Sequence, residues 1–452
     1  MTENSIKANP TKEFFITMLT RDIPLDRAIL DLIDNSVDAA NSNNLLKNID
    51  YIEDGNLDTE SHSDKKEENT PTIDINFSSE KFEIYDNCGG MPIDIAKNYA
   101  FRFGRPSDSP MTPNSVGQFG VGMKRTLFKL GKSFLVCSKH DSEDGFRIAV
   151  NVDQWKNDDQ SNEWEFSYEI DQNIRKNSTY IKVEELYPQI SKLLSEEEFE
   201  SSLIRQISQS HFKCLRQGLI IRINNKVVKP YPITFYDNEE ISPTIIIKNF
   251  GDVEVKIIAG ISERNLAKGG WYIICNGRLV VAAEQSSITG WDTDGIRKYH
   301  PDHAFFRGIV EFNCEDSSKL PWTTTKTGID TDNATYRKTL ILMKDVMRQI
   351  LSFLNNRVKE SKYLEEGRIN VAPLATAIAK SKPKAISNIH TSRPLKIPKA
   401  NLTAEPANET RIQYLIDTDK FEKVAELLGT DIKSEVGLKT FNYYFSYEVG
   451  NE

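Results

Sequence analysis

The stretch Arg27-Ala28-Ile29-Leu30-Asp31-Leu32-Ile33-Asp34-Asn35-Ser36-Val37-Asp38-Ala39-Ala40 places two carboxylates and an amide, Asp31, Asn35 and Asp38, four and three residues apart. No glycine or proline interrupts it, so the spacing predicts a helix with these three side chains on one narrow stripe. Apolar residues cover nearly all the rest, so the helix should be buried. Burying two carboxylates and an amide without partners is costly. Such a stripe calls for a cation, a nucleotide or a water network. The plainer competing reading is that Asp34 and Asp38 solvate an amphipathic surface helix.

Two glycine-bearing turns carry the other chemistry. The strand Lys81-Phe82-Glu83-Ile84-Tyr85 runs into Asp86-Asn87-Cys88-Gly89-Gly90-Met91-Pro92. Further on, Gly117-Gln118-Phe119-Gly120-Val121-Gly122-Met123-Lys124-Arg125 leads into a helical pattern ending at Leu130-Gly131. Glycines that open a helix let backbone N–H groups and the positive helix end approach phosphate oxygens. Lys124 and Arg125 add charge just inside that helix. Such a turn also occurs between strand and helix in many α/β proteins, so its meaning depends on the stretches before it.

The elements that must position these residues are legible by period. Thr72 to Phe77 alternates as a strand, and Phe134-Leu135-Val136-Cys137 and Thr179-Tyr180-Ile181-Lys182-Val183 follow. Residues from about 190 to 217 read as helix, with Ser195-Glu196-Glu197-Glu198 as a start. From Leu219 to about 315 strands return, including Trp271-Tyr272-Ile273-Ile274, which marks a second α+β unit. A polar loop, Leu320-Pro321-Trp322-Thr323-Thr324-Thr325-Lys326-Thr327-Gly328, precedes one long helix over 331–365. The polar tract 41–72 has too few apolar residues to order itself and reads as a mobile insertion. Arg368 to Ala400 has no acidic residue but several lysines, arginines and prolines, and reads as a basic linker. The tail reads as a strand, 411–415, and two helices, 418–428 and about 431–447.

Whole-chain composition narrows the classes. A chain of 452 residues suggests two or three domains, and 38% hydrophobic with 27% charged residues suits an ordinary soluble protein. A net charge of −9 argues against a uniformly basic nucleic-acid coat. The five cysteines, Cys88, Cys137, Cys214, Cys275 and Cys314, are scattered and never form C-x-x-C, which fits neither a zinc site nor a disulfide framework. With no signal pattern and no run long enough to span a bilayer, the expectation is a cytoplasmic protein without a membrane partner.

Taken in order, these stretches resemble the GHKL ATPases (gyrase, the heat-shock ATPase chaperones, histidine kinases and MutL), with MORC-like bacterial proteins the nearest in look, over roughly residues 10–335. The resemblance implies an α+β chain with a Bergerat-type ATP-binding α/β sandwich over 1–195, including an ATP lid at 103–116. After it would come an S5-like α/β transducer over 196–335, the long helix at 336–366, the basic linker at 367–403 and a strand-helix-helix module at 404–452. It implies ATP and Mg²⁺ as ligands. Asn35 would ligate the metal, Asp86 would accept the adenine amino group, and Gly90 and Met91 would lie against the base. Gly117, Gln118, Phe119, Gly120, Val121 and Gly122 would hold the phosphates with Lys124, and Thr179 would sit beneath the adenine. Lys326 resembles the transducer lysine that reaches the γ-phosphate.

Two departures from the family pattern matter. Asp31 stands where the family has the Glu that activates water, and its side chain is one methylene shorter, so hydrolysis is expected to be slow. Cys88 replaces a glycine, which a small side chain tolerates if φ there is negative. A histidine kinase would need a phospho-accepting His before the ATP domain, and no His precedes Asp31. The heat-shock chaperones need larger middle and dimerisation domains. The resemblance implies an ATP-gated homodimer. The basic linker and tail, Arg368 to Lys399 and beyond, suggest a clamp on DNA, in genome maintenance or defence against foreign DNA. The rival expectation is a non-hydrolysing ATP sensor that signals to a protein partner.

Overall fold

The computed structural model describes residues 11–46, 70–103, 112–117, 120–141, 143–157, 164–385, 391–403 and 412–450. Most of the expected insertion and lid, the phosphate-loop residues Gln118 and Phe119, and residues 404–411 lie outside these.

The first unit is a two-layer sandwich. Helix α1 (Lys12–Arg21) leads into α2 (Leu25–Ser42), and the strands are β1 (Thr72–Phe77), β2 (Phe82–Asp86), β3 (Gly131–Lys139), β4 (Phe146–Asn151), β5 (Glu169–Ile170), β6 (Ser178–Leu186), β7 (Ile220–Ile223) and β8 (Lys226–Val227). They form one sheet in the order β5-β4-β3-β6-β2-β1-β7-β8. Period-2 alternation turns Ile73, Ile75, Phe82, Ile84, Phe134, Val136, Ile181 and Val183 to one face, where they share a core with Ile29, Leu30 and Ile33 of α2. The helix Gly122–Leu130 packs beside α2, tied to it by Thr126 Oγ1 donating to Ala28 O at 2.6 Å. The helix Glu197–Ser210 adds Phe199, Leu203 and Ile207 to the same core. Residues 196–227, expected in the second unit, therefore belong to the first: β7 pairs in parallel with β1, and β8 pairs with β7 at the edge of the same sheet.

The second unit begins with β9 (Phe235–Tyr236) and is built on β10 (Thr244–Phe250), β11 (Val253–Ile261), β12 (Gly270–Cys275), β13 (Arg278–Glu284) and β14 (Phe306–Asn313), ordered β10-β11-β14-β12-β13. Every residue of β12 is buried, because both faces of this sheet are covered. Trp271 and Ile273 meet Met343, Met347 and Ile350 of the long helix Ala334–Glu365, while Tyr272 and Ile274 meet Phe212 from the end of the first unit.

The expected linker is a folded strap. Its helix Pro373–Lys380 buries Leu374 and Ala377 in the second core, and β15 (Pro383–Lys384) pairs with β9. Ile245 and Arg393 exchange backbone hydrogen bonds of 2.8 and 2.9 Å. The fully buried Glu360 accepts from Leu374 N and Asn401 N, both at 2.8 Å, holding the strap at its two ends. Basic and proline-rich composition signals a solvated spacer, but here enough apolar residues recur to bury one face. The tail also departs from expectation. Residues 412–417 form no strand, and the helices Thr418–Leu428 and Lys433–Tyr444 meet each other, with Lys439 Nζ donating to Leu428 O at 3.4 Å. Among the described residues, no helix is long and apolar enough to cross a membrane.

Candidate nucleotide site

Helix α2 forms one wall of a cavity of about 490 Å³. Asp31, Asn35 and Asp38 all line it, as the stripe requires, with Asn35 exposed and Asp31 buried. Opposite lie the ends of the central strands β2 and β6, with Asp86 and Thr179, and the turn after β2, with Gly90 and Met91.

Asp86 ends β2 and pairs in register with Thr179 of β6. Its carboxylate accepts from Ser36 Oγ at 2.7 Å and from Cys88 N at 2.9 Å. Burial nonetheless pushes its carboxyl up to about 6, against these two bonds. Thr179 Oγ1 shares a 3.0 Å hydrogen bond with Ser138 Oγ, which accepts from Met91 N at 2.7 Å. Gly90 has φ +68°, and a Cβ there would lie 2.1 Å from Lys139 O, so only glycine fits. Cys88 is fully buried and lies outside the positive-φ residues, which is why it can replace a glycine.

On the side of the glycine turn, Asp38 accepts from Val116 N and Gly117 N, both at 2.7 Å, and so fixes the chain as it enters that turn. Burial, with Asp34 nearby, raises Asp38 to about 7 despite these bonds and the charge of Lys326. Gly117 lies against Asn35 Oδ1 and Asp38 Oδ2, and Gly122 against Asp31, each within 3.0–3.1 Å of a Cβ placed there. Gly120 has φ +64°. Among the described residues no side chain caps the Gly122 helix at Val121, and its first turn, Gly122 to Lys124, lines the cavity, where helix N–H groups suit an anion. Lys124 lines the cavity, but its Nζ donates to Ala100 O at 2.6 Å over the Phe103 ring, and burial pulls it down to about 7. It anchors the segment that ends at Phe103.

Lys326 comes from the second unit and reaches into the cavity in a left-handed backbone conformation, φ +54°. Its Nζ donates to Asp34 Oδ2 at 2.7 Å and to Asp31 Oδ1 at 3.3 Å. Burial opposes its charge, but Asp34 and Asp31 raise its pKa. Arg125 pairs with the other Asp31 oxygen. Asp34 is the hub: its Oδ1 also accepts from Arg278 Nε and His211 Nε2, each at 2.9 Å. Burial works against its charge, yet Arg278, Lys326 and His211 together hold its carboxyl well below the usual range. Asp34 is thus no solvating surface residue, and it escaped prediction with Ser36, Ser138 and Arg278. The one available signal was an acidic side chain on the apolar side of α2.

The donor set suits a magnesium–triphosphate. Among the described residues no cluster of three or more His, Cys, Asp or Glu side chains could hold a metal alone. Mg²⁺ commonly takes few protein ligands beside phosphate oxygens, and Asn35 is exposed in the cavity at the glycine turn.

Residues 23–180 match the family model described as histidine kinase-, DNA gyrase B- and HSP90-like ATPase. The match supports a GHKL-type, ATP-binding domain over that segment. It takes in Asp31, Asn35, Asp86, Gly90, the glycine turn and Thr179, and ends before Lys326. No curated protein matches the chain.

Proposed function

We propose that the chain is an ATP-driven switch in which the second unit reads the γ-phosphate through Lys326 and thereby gates contact between two copies acting on DNA. The observation that carries this reading is that Lys326, supplied by the second unit, is held inside the nucleotide cavity by Asp31 and Asp34. Asp86 would take the adenine amino group, since an ionised carboxylate only accepts. The N–H groups of the glycine turn and of the Gly122 helix would take the phosphates. Mg²⁺, when bound, would offset triphosphate charge, with Asn35 as its protein ligand.

Both oxygens of Asp31 are engaged by cations here, Arg125 on one and Lys326 on the other. A general base needs a free lone pair within about 2.6–3.2 Å of its water. A triphosphate offers both cations a stronger anionic partner, and their transfer to it would free Asp31. The switch and the base would thus be set by one event. Because ATP would bind best where Lys326 has moved, it shifts the chain towards that arrangement, and loss of the γ-phosphate reverses it. The same engagement of Asp31 favours a second reading, a sensor that binds ATP without turnover and signals to a protein.

Steady-state hydrolysis with and without duplex DNA, beside Asp31→Asn, tests the two. Turnover that DNA stimulates and the variant lowers at least a hundredfold supports the DNA-acting switch. Tight ATP binding with no turnover in either protein establishes the sensor.

A further inference from the structure

A second cavity, also of about 490 Å³, lies on the other side of α2. Val37 and Asn41 face it, whereas Asp31, Asn35 and Asp38 face the nucleotide cavity. The two cavities meet at Asp34: its Oδ2 holds Lys326, which lines the first, and its Oδ1 holds His211 and Arg278, which line the second.

Three features of this cavity point to a ligand. Its lining includes two cations and, among the described residues, no carboxylate: Arg278, whose Nε donates to Asp34, and Lys213, whose Nζ donates to the buried Glu311 at 3.2 Å and keeps further protons to donate. Around them stand amides, among them Asn41, Gln217 and Asn313. His211 is 2% exposed, and among the described residues its Nδ1 has no hydrogen-bond partner. Its Nε2 meets the carboxylate of Asp34, which can only accept, so Nε2 carries the proton. Burial, with Arg278 nearby, holds the ring down to about 4 and hence neutral, which leaves Nδ1 a bare acceptor. A buried acceptor without a donor is unfavourable, and a ligand hydroxyl would relieve it.

We propose that this cavity binds a small phosphate ester carrying free hydroxyls. Arg278 and Lys213 take the phosphate oxygens, a hydroxyl donates to His211 Nδ1, and the amides take the remaining hydroxyls. Such a ligand draws Arg278 away from Asp34, leaving Asp34 to hold Lys326 more firmly out of reach of a triphosphate. Ligand and ATP then weaken each other's binding by the same factor, as linkage requires. This coupling rests on the nucleotide reading above; the site itself does not.

The test is calorimetric titration of ribose 5-phosphate into the full chain, free and saturated with a non-hydrolysable ATP analogue, beside Gln217→Glu and Lys213→Gln. The expected result is one equivalent bound to the free protein and at least tenfold weaker binding in each variant. Both variants should keep the wild-type analogue affinity, and Gln217→Glu, which breaks no ion pair, should also keep the wild-type unfolding midpoint. No binding by the free wild-type chain, or wild-type affinity in either variant, overturns the proposal. If the analogue does not bind, the nucleotide reading fails, and the free-protein titration still decides this site.

Discussion

Asp86, the proposed adenine acceptor, is a buried carboxyl that would tie nucleotide recognition to pH. Its folded value, about 6, lies above the ordinary 3.8, because burial outweighs the bonds from Cys88 N and Ser36 Oγ. The folded chain therefore binds a proton that the unfolded chain has already lost between about pH 4 and 6, so this group removes stability as pH rises through that window. Asp38, raised to about 7, acts in the same sense over a wider range. Asp34 acts oppositely: its depressed carboxyl contributes stability above the ordinary range, and that contribution is lost as pH falls. In the proposed reading, adenine recognition needs Asp86 ionised. ATP should therefore bind about tenfold more weakly near pH 5 than near pH 7.5. Asp86→Asn should weaken binding by roughly 10–100-fold and flatten that dependence, since a charged hydrogen bond is lost. Fluorescent-nucleotide titration across this range checks both, and a flat wild-type profile would rule out Asp86 as the adenine acceptor.

At the scale of elements, α2 is a two-sided wall. One stripe faces the nucleotide cavity, while Asp34, on another side, joins the helix to β13 through Arg278 and to the Lys326 loop. Removing one partner of a buried ion cluster leaves a charge uncompensated, so Arg278→Met should cost about 3–5 kcal/mol of unfolding free energy. Asp34→Asn removes the charge that Arg278 balances, so the double variant should be less destabilised than the sum by at least about 1 kcal/mol. Chemical denaturation of the four proteins measures this, and strict additivity would mean that Asp34 and Arg278 do not act as a unit. The stripe Asp31-Asn35-Asp38, the alternating strands and the long helix were legible because each follows a local period. Asp34 was not, because its partners lie 244 and 292 positions away, and only the folded chain brings them together. The strap was misread for a related reason: its apolar residues are too few for a local signal. They suffice once Glu360 and β9 supply partners.

For the whole molecule, the folded strap changes where DNA contact should be sought. Arg393 is paired with Asp237 and Arg368 with Glu366, so these two cations are partly neutralised within the chain. Lys380, Lys382, Lys384, Lys396 and Lys399 are exposed on the strap as it crosses the second unit. Because the strap borrows its partners from that unit, residues 366–452 alone would lose the surface that presents these lysines, and the full chain is the right object to test. Each phosphate contact steepens the dependence of log K on log salt by about 0.9, so five contacts give a slope of about −4.5. Duplex DNA binding by the full chain should show that slope in the presence of an ATP analogue. Replacing the five lysines by glutamine should bring it close to zero while leaving nucleotide affinity unchanged. The strap packs on the second unit, so an effect of the analogue on DNA binding is expected to pass through that unit, where Lys326 meets Asp34. An unchanged slope in the glutamine variant would move DNA contact to another surface, and no binding at low salt would leave the ATP sensor with a protein partner as the reading that stands.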